Sequence, residues 1–205
     1  MTTKAARKSG RRQPRQRRAL ETMNAVLDAV VRILKREGAA AVTTNHIAEV
    51  AGISIGSLYQ YFPDKHAIFA ALHKRHIDEV DRLMESRLVQ HAGSSLDELI
   101  RALMEAMIEA HTRDPELYEA LATEVPHRAD DTREFAVRLH GAFLVAIASR
   151  TRGQKKRREL EKAAFIVANM VDSLAHGAVL RRPPRLSLEE AKDEAARAVL
   201  AYLHA

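Results

Sequence analysis

The 205-residue chain has no cysteine. That excludes disulfides and thiolate metal sites, and it is compatible with a reducing cytoplasm. Long apolar runs are missing too. The longest, Ala142 to Ala148, is seven residues, against the roughly 20 that a bilayer span needs. There are only six prolines, and they fall in the basic N-terminal stretch, near expected helix ends or in linkers. None of them contradicts a helical chain. No segment alternates with the period of a strand, and no internal repeat is visible. HExxH, a Walker loop, a nucleophile elbow and a GxGxxG after a strand are all absent. His73 and His76 share a helix face without the further ligands a metal needs. The reading is of a protein that is not an enzyme and carries no cofactor and no metal. A triad assembled in space leaves no spacing to read, so an all-α enzyme stays as an alternative class.

The net charge of +6 is unevenly spread. Residues 1–75 hold 14 Lys/Arg against 5 Asp/Glu, a net of +9, and the remainder holds 19 against 22, a net of −3. Positive charge concentrated in one part of a chain suits a polyanion such as nucleic acid. A membrane surface would also attract it, but that role needs large apolar residues left exposed on a helix. No membrane partner is expected.

The basic part contains Thr43 to Lys65, TTNHIAEVAGISIGSLYQYFPDK. Thr43 and Thr44 are N-cap residues, and Ile47, Ala48 and Val50 give a short helix an apolar side. Gly52 supplies the positive φ of a tight turn. Ser54 caps a second helix, Ile55 to Phe62, whose Leu58 and Phe62 point inward. Two short helices joined by a glycine turn describe a helix-turn-helix, with its second helix in the DNA major groove. The residues outside the inward face suit that task. Gly56 allows close approach of the backbone, Ser57 offers a hydroxyl, and Gln60 can make two hydrogen bonds to adenine. Tyr59, Tyr61 and Lys65 can reach phosphates. Thr43, Thr44, Asn45, Ser54, Ile55, Arg17 and Arg18 complete the candidate DNA-contacting set.

This stretch resembles the DNA-binding domain of the TetR family of bacterial repressors. The matching elements are Thr43/Thr44, Ile47-Ala48, Ala51-Gly52-Ile53-Ser54, Gly56-Ser57-Leu58-Tyr59, Tyr61-Phe62 and Pro63-Asp64-Lys65. The resemblance covers residues 15 to 70, and beyond them only helix count and layout are similar. It implies a cytoplasmic homodimeric repressor, bound to a palindromic double-stranded DNA operator and released by a small-molecule effector. A DNA-architectural protein without an effector would share the fold.

The expected fold is all-α with about nine helices. A basic disordered arm occupies residues 1–16, a helix-turn-helix domain 17–65, and an effector-binding and dimerisation domain 66–205. The first helix, Arg17 to Glu37, would pack Leu20, Met23, Leu27, Val30 and Leu34 on the helix-turn-helix. The fourth, Pro63 to His91, is long enough to leave that domain and link it to the next. Ser95-x-x-Glu98 and Ser187-x-x-Glu190 read as capping boxes opening helices five and nine. Asp114-Pro115 caps helix six. Helix seven, apolar nearly all round from Phe135 to Ala148, should be central. Helix eight carries Leu160, Ala164, Val167, Val171, Leu174 and Ala178 at the spacing of a two-helix seam. With Val199 and Tyr202 of helix nine, its residues Val167, Val171, Leu174 and Ala178 form the expected dimer interface. His76, His111, Tyr118 and His140 interrupt apolar stripes that also hold Met104, Met107, Phe135 and Phe143. Those eight residues are the expected effector pocket, for a hydrophobic or aromatic ligand with one or two hydrogen-bonding groups. Asn169, Asp172 and His176 align with Arg158 and Lys162 and read as a solvated stripe.

Overall fold

The computed structural model describes residues 12–125, 130–151 and 156–205. Among them are nine α-helices and no strand. They are α1 (Arg12–Glu37), α2 (Thr44–Ala51), α3 (Ile55–Tyr61), α4 (Lys65–Gln90), α5 (Leu96–Thr112), α6 (Pro115–Glu124), α7 (Asp130–Arg150), α8 (Arg157–Leu180) and α9 (Leu188–His204), with a 3-10 turn at Ala39–Ala41. The expected arm falls mostly on residues outside this description. Its last part, from Arg12, is helical and extends α1. Pro14 sits in the first turn of that helix, where its missing N–H has no partner to lose.

The chain divides into two compact units after Leu72. Ile68, Phe69 and Leu72 of α4 are buried and belong to the first unit. In that unit Val26, Leu27, Val30, Ile33 and Leu34 of α1 are buried with Ile47, Leu58 and Phe62. Leu20 was expected on this face and is 60% exposed. The buried stripe begins at Val26, with Met23 only half covered.

The second unit has one core, built around α5. Leu99, Ile100, Leu103, Met104, Met107 and Ile108 are all essentially inaccessible, because α6, α7, α8 and α9 each pack on this helix. Both expected capping boxes form. The Glu98 N–H donates to Ser95 Oγ at 3.3 Å and the Ser95 N–H to Glu98 at 2.9 Å. Ser187 and Glu190 repeat the exchange at 3.2 and 2.7 Å. Ahead of α6, Asp114 makes no side-chain cap bond, and Pro115 opens the helix. Just after the end of α4, Arg150 gathers three carbonyls. Its guanidinium donates to His91 O at 2.8 Å, Ala92 O at 3.2 Å and Ser94 O at 3.0 Å.

Two expectations about this unit need correction. Helix α7 is not central: Phe135, Leu139, Phe143 and Ile147 face the core, whereas Val137 and Val145 are 67% and 69% exposed. Apolar residues all round a helix are buried all round only where neighbours exist on every side, and α7 has them on one. The seam on α8 is likewise spent inside the protomer. Val167, Val171 and Val199 are fully buried and Ala178 nearly so, packed among α5, α8 and α9. They are core and cannot meet a second copy, whereas Leu174 is half-buried and Tyr202 exposed. By length and mean hydropathy α8 would also pass for a membrane span. Its buried stripe assigns that hydropathy to the core.

Candidate nucleic-acid interface and ligand site

In the first unit the chain approaches α2 in extended conformation, and Thr43 Oγ1 accepts the His46 N–H at 3.2 Å. Thr44 does different work from its neighbour: its hydroxyl lies 3.3 Å from the Tyr59 hydroxyl, tying the start of α2 to α3. Gly52 ends α2 at φ 70° and ψ 31°. That is left-handed backbone, in which a β-carbon is strained. Ser54 then caps α3 by accepting the Ser57 N–H at 3.0 Å, and the two serine hydroxyls are 2.8 Å apart. Leu58 and Phe62 are buried, as the spacing of four required.

With those inward residues fixed, α3 presents Ile55, Gly56, Tyr59 and Gln60 to solvent, and Ser57 and Tyr61 are half-covered. Thr43, Asn45 and Ser54 are exposed, as are Arg17 and Arg18 on α1. Arg17 pairs with Glu21 at 3.3 Å on that surface. Lys65 is half-buried, its ammonium 5.3 Å from the Phe69 ring centre. His46 bridges Glu37 at 2.9 Å and Glu49 at 3.5 Å, and these hydrogen bonds raise its pKa. The face therefore combines amide, phenol and hydroxyl donors with a basic surround, which is the equipment for reading base edges and holding phosphates.

In the second unit the eight expected pocket residues separate. Met104, Met107 and Phe143 are plain core. His76 of α4, His111 of α5 and Tyr118 of α6 do converge. Their ring centres are 5.1 Å apart for His76–His111, 5.7 Å for His76–Tyr118 and 4.2 Å for His111–Tyr118. His176 of α8 joins them, 5.0 Å from His111 and 5.4 Å from Tyr118. The sequence reading gave His176 to solvent, because its stripe-mates Asn169 and Asp172 are polar. Half-buried at the margin of the stripe, it is turned inward by the helices beside it. Phe135 and His140 lie elsewhere, in a cleft between α7 and α8 that also contains Phe165.

His76 and His111 are held as neutral rings. Burial lowers the His76 pKa to about 4 and that of His111 to about 3, and the neighbouring imidazoles push the same way. The His111 Nδ1–H donates to the Met107 carbonyl, and the His176 Nδ1–H to the Asp172 carbonyl at 2.7 Å. In a neutral imidazole so held, Nε2 keeps a lone pair and accepts. His76 Nε2 and the Tyr118 hydroxyl are buried without a hydrogen-bond partner. Buried polar atoms nearly always have one, so these two are the polar anomaly of the cluster. Among the described residues no group of three His, Cys, Asp or Glu is placed to hold a metal ion.

The depressed pKa values set a pH dependence. The unfolded chain binds protons at these histidines near pH 6.5, while the folded state takes them up only near pH 3 to 4. Stability is therefore present above pH 6.5 and is lost as pH falls below it. Each group contributes a slope of about 1.4 kcal/mol per pH unit. Urea titrations at pH 7, 6 and 5 should show the midpoint falling. A midpoint independent of pH over that range would mean that the two rings are solvated.

The chain matches the model for bacterial regulatory proteins of the tetR family over residues 26–72. It matches the tetracyclin repressor-like C-terminal domain over residues 95–203. The HTH-type transcriptional repressor KstR of Rhodococcus jostii is 32% identical over 102 residues, which are 49% of this chain and 46% of that protein. The match thus spans about half the length of that relative. The HTH-type transcriptional regulator TtgR of Pseudomonas putida is 30% identical over 169 residues, 76% of this chain and 79% of that one. A transcriptional regulator from Rhodococcus sp. Rha1, known from a crystal structure, shares the fold at a TM-score of 0.68 and 18% identity, covering 89% of this chain and 96% of its own. Since the second family model alone spans more than half of the sequence, and the first takes in the capped α2–turn–α3 unit, the chain belongs to the TetR family of bacterial transcriptional regulators.

Proposed function

We propose that the chain acts as a homodimeric repressor that leaves its operator when an uncharged small molecule occupies the histidine–tyrosine cluster. The observation that carries this reading is the outward face of α3, where Gly56, Tyr59 and Gln60 are exposed while Leu58 anchors the helix from inside. One recognition helix covers one half-site, so two copies reading sites about 34 Å apart, or a multiple of that, are needed for a palindrome. The surface of α8 and α9 that remains after the core is closed supplies the contact, with Ile166, Leu174 and Tyr202 as its apolar members.

The effector acts through α4. One unbroken helix carries both His76 and Lys65, and Lys65 follows directly on the turn that ends α3. A molecule that binds the cluster better in one setting of α4 than in the other shifts the population by that difference in affinity. The cluster favours a planar, uncharged molecule with one donor and one acceptor, because the His76 and His111 rings are neutral and His76 Nε2 and the Tyr118 hydroxyl are without partners.

Two measurements test the reading. A duplex selected from a random pool should be a palindrome, and Gln60→Ala should lower affinity for it by roughly 1–3 kcal/mol while leaving random duplex unaffected. Equal losses on both would make Gln60 a phosphate contact. For the effector site, Tyr118→Phe should stabilise the free protein by about 1–2 kcal/mol, because an unsatisfied buried hydroxyl is removed. The same variant should respond more weakly to effector in operator release. A destabilised Tyr118→Phe protein would show that the hydroxyl is already bonded within the fold.

A further inference from the structure

We propose that His46 is a positioning residue for the DNA-reading helix: held as an imidazolium between Glu37 and Glu49, it ties the end of α1 to α2, and operator affinity falls as the ring loses its proton. The operator enters from the repressor reading above, whereas the clip stands on the geometry of the ring. Each ring nitrogen of His46 faces a carboxylate. Nε2 lies 2.9 Å from Glu37 Oε2, and Nδ1 lies 3.5 Å from Glu49 Oε2. An ionised carboxylate only accepts, and a neutral imidazole has a single N–H. The protonated ring can therefore serve both sides, and the neutral one turns a lone pair on one of the two carboxylates. All three charges also sit at the helix end that suits them least. Glu37 is the last residue of α1 and Glu49 lies in the last turn of α2, where the helix dipole disfavours a carboxylate. His46 lies in the first turn of α2, where the dipole disfavours a cation. No preference within a helix places them so, and their contact with one another does.

The clip matters because α3 is carried by α2. Arg32 of α1 donates to the Val50 carbonyl at 3.0 Å, near the end of α2 where carbonyls run out of partners in their own helix. His46 fastens the opposite end. From α2 the hold passes to α3 through the Thr44 and Tyr59 hydroxyls, 3.3 Å apart. The proton on His46 answers to few other charges. The elements packed on α2 are α1 and α3. The last turn of α1 brings Glu37 together with the cations Lys35 and Arg36. Helix α3 brings no charged side chain, only the phenols of Tyr59 and Tyr61, and the Ala39–Ala41 turn beside α1 brings none. The hydrogen bonds to Glu37 and Glu49 raise the ring's pKa above its ordinary 6.5. The clip is therefore whole below about pH 6.5 and is lost as pH rises through the folded-state value.

The test joins an NMR titration of the isotope-labelled full chain to anisotropy on the selected duplex, both across roughly pH 6 to 9. The His46 ring signal, assigned by its loss in His46→Gln, should titrate above the ordinary histidine value, and the α3 amides should shift with the same midpoint. Kd for the duplex should rise about three- to tenfold over about two pH units, within the limit of tenfold per unit for one linked proton. His46→Gln should bind weakly throughout the range. His46→Arg keeps its charge and its fork can meet both carboxylates, so it should stay tight at the alkaline end. Glu37→Gln should move the His46 midpoint and the affinity profile to lower pH together. A phosphate contact by His46 would give the same loss of affinity, but it would make the salt dependence of His46→Arg steeper than that of His46→Gln by about one counterion. The clip predicts equal slopes. A His46 midpoint at or below the ordinary value, α3 amides indifferent to it, unequal salt slopes, or an unchanged pH profile in His46→Gln would each overturn the proposal. A chain that selects no duplex would sink the repressor reading, while the His46 and α3 titrations, run without DNA, still decide the clip.

Discussion

Gly56→Ala should make the free protein more stable and at the same time cost it its operator. A β-carbon at Gly56 would meet nothing nearer than Ser54 Oγ at 3.9 Å, and the residue is not among the glycines with positive φ. Alanine in the first turn of the seven-residue α3 should therefore add about 0.5–1 kcal/mol through helix propensity. Nothing inside the fold explains a glycine there. What a methyl group would obstruct lies outside, where the helix must approach DNA, and operator affinity should fall at least about tenfold. Fluorescence anisotropy on the selected duplex, together with a urea titration, checks both signs. Full operator affinity in the variant would mean that the backbone of α3 stays away from the groove. Gly52→Ala gives the converse, because its φ of 70° puts any side chain under strain. That variant should lose about 1–2 kcal/mol of stability.

The second large effect separates core from interface on α8. Val171 is fully buried, and Val171→Asp places a carboxylate where it has neither water nor partner. The cost, more than about 4 kcal/mol, approaches the whole stability of an ordinary domain, so this variant should not fold. Ile166 and Tyr202 are 37% and 38% exposed. Ile166→Asp with Tyr202→Asp should leave the fold and its thermal unfolding intact and convert the proposed dimer into a monomer, as read by sedimentation. A dimer surviving that pair would move the contact to another face.

The contrast between these variants also marks what could be read in the sequence. Ser95, Ser187, Thr43 and Ser54 announced helix starts correctly, because a cap is local chemistry between a side chain and a backbone N–H three residues on. The helix-turn-helix was legible for the same reason: Gly52, Leu58 and Phe62 act over a few residues. What the sequence could not supply was the count of neighbours around each helix. Val171 and Ile166 sit on one apolar helix, and nothing in their spacing says which faces α5 and which faces outward. Helix α7 misled through its uniform composition, which has no direction. His176 was missed because its position at the margin of a polar stripe is resolved only by the α5 and α6 side chains that meet it. His76, His111 and Tyr118 were found because a polar residue inside an apolar stripe is an anomaly that spacing reveals.

The guanidinium of Arg150 makes one position intolerant of a substitution that would ordinarily be harmless. It donates to three carbonyls in the loop after α4, from His91, Ala92 and Ser94, and a planar fork with five N–H groups is what lets one side chain reach all of them. Lysine carries the same charge but places it at a single point, and it would have to abandon some of those oxygens half-buried. A drifting sequence can exchange arginine and lysine almost anywhere on this basic protein's surface. Here the exchange would loosen the join between α4 and α5, so the shape of the cation, more than its charge, is what the position retains.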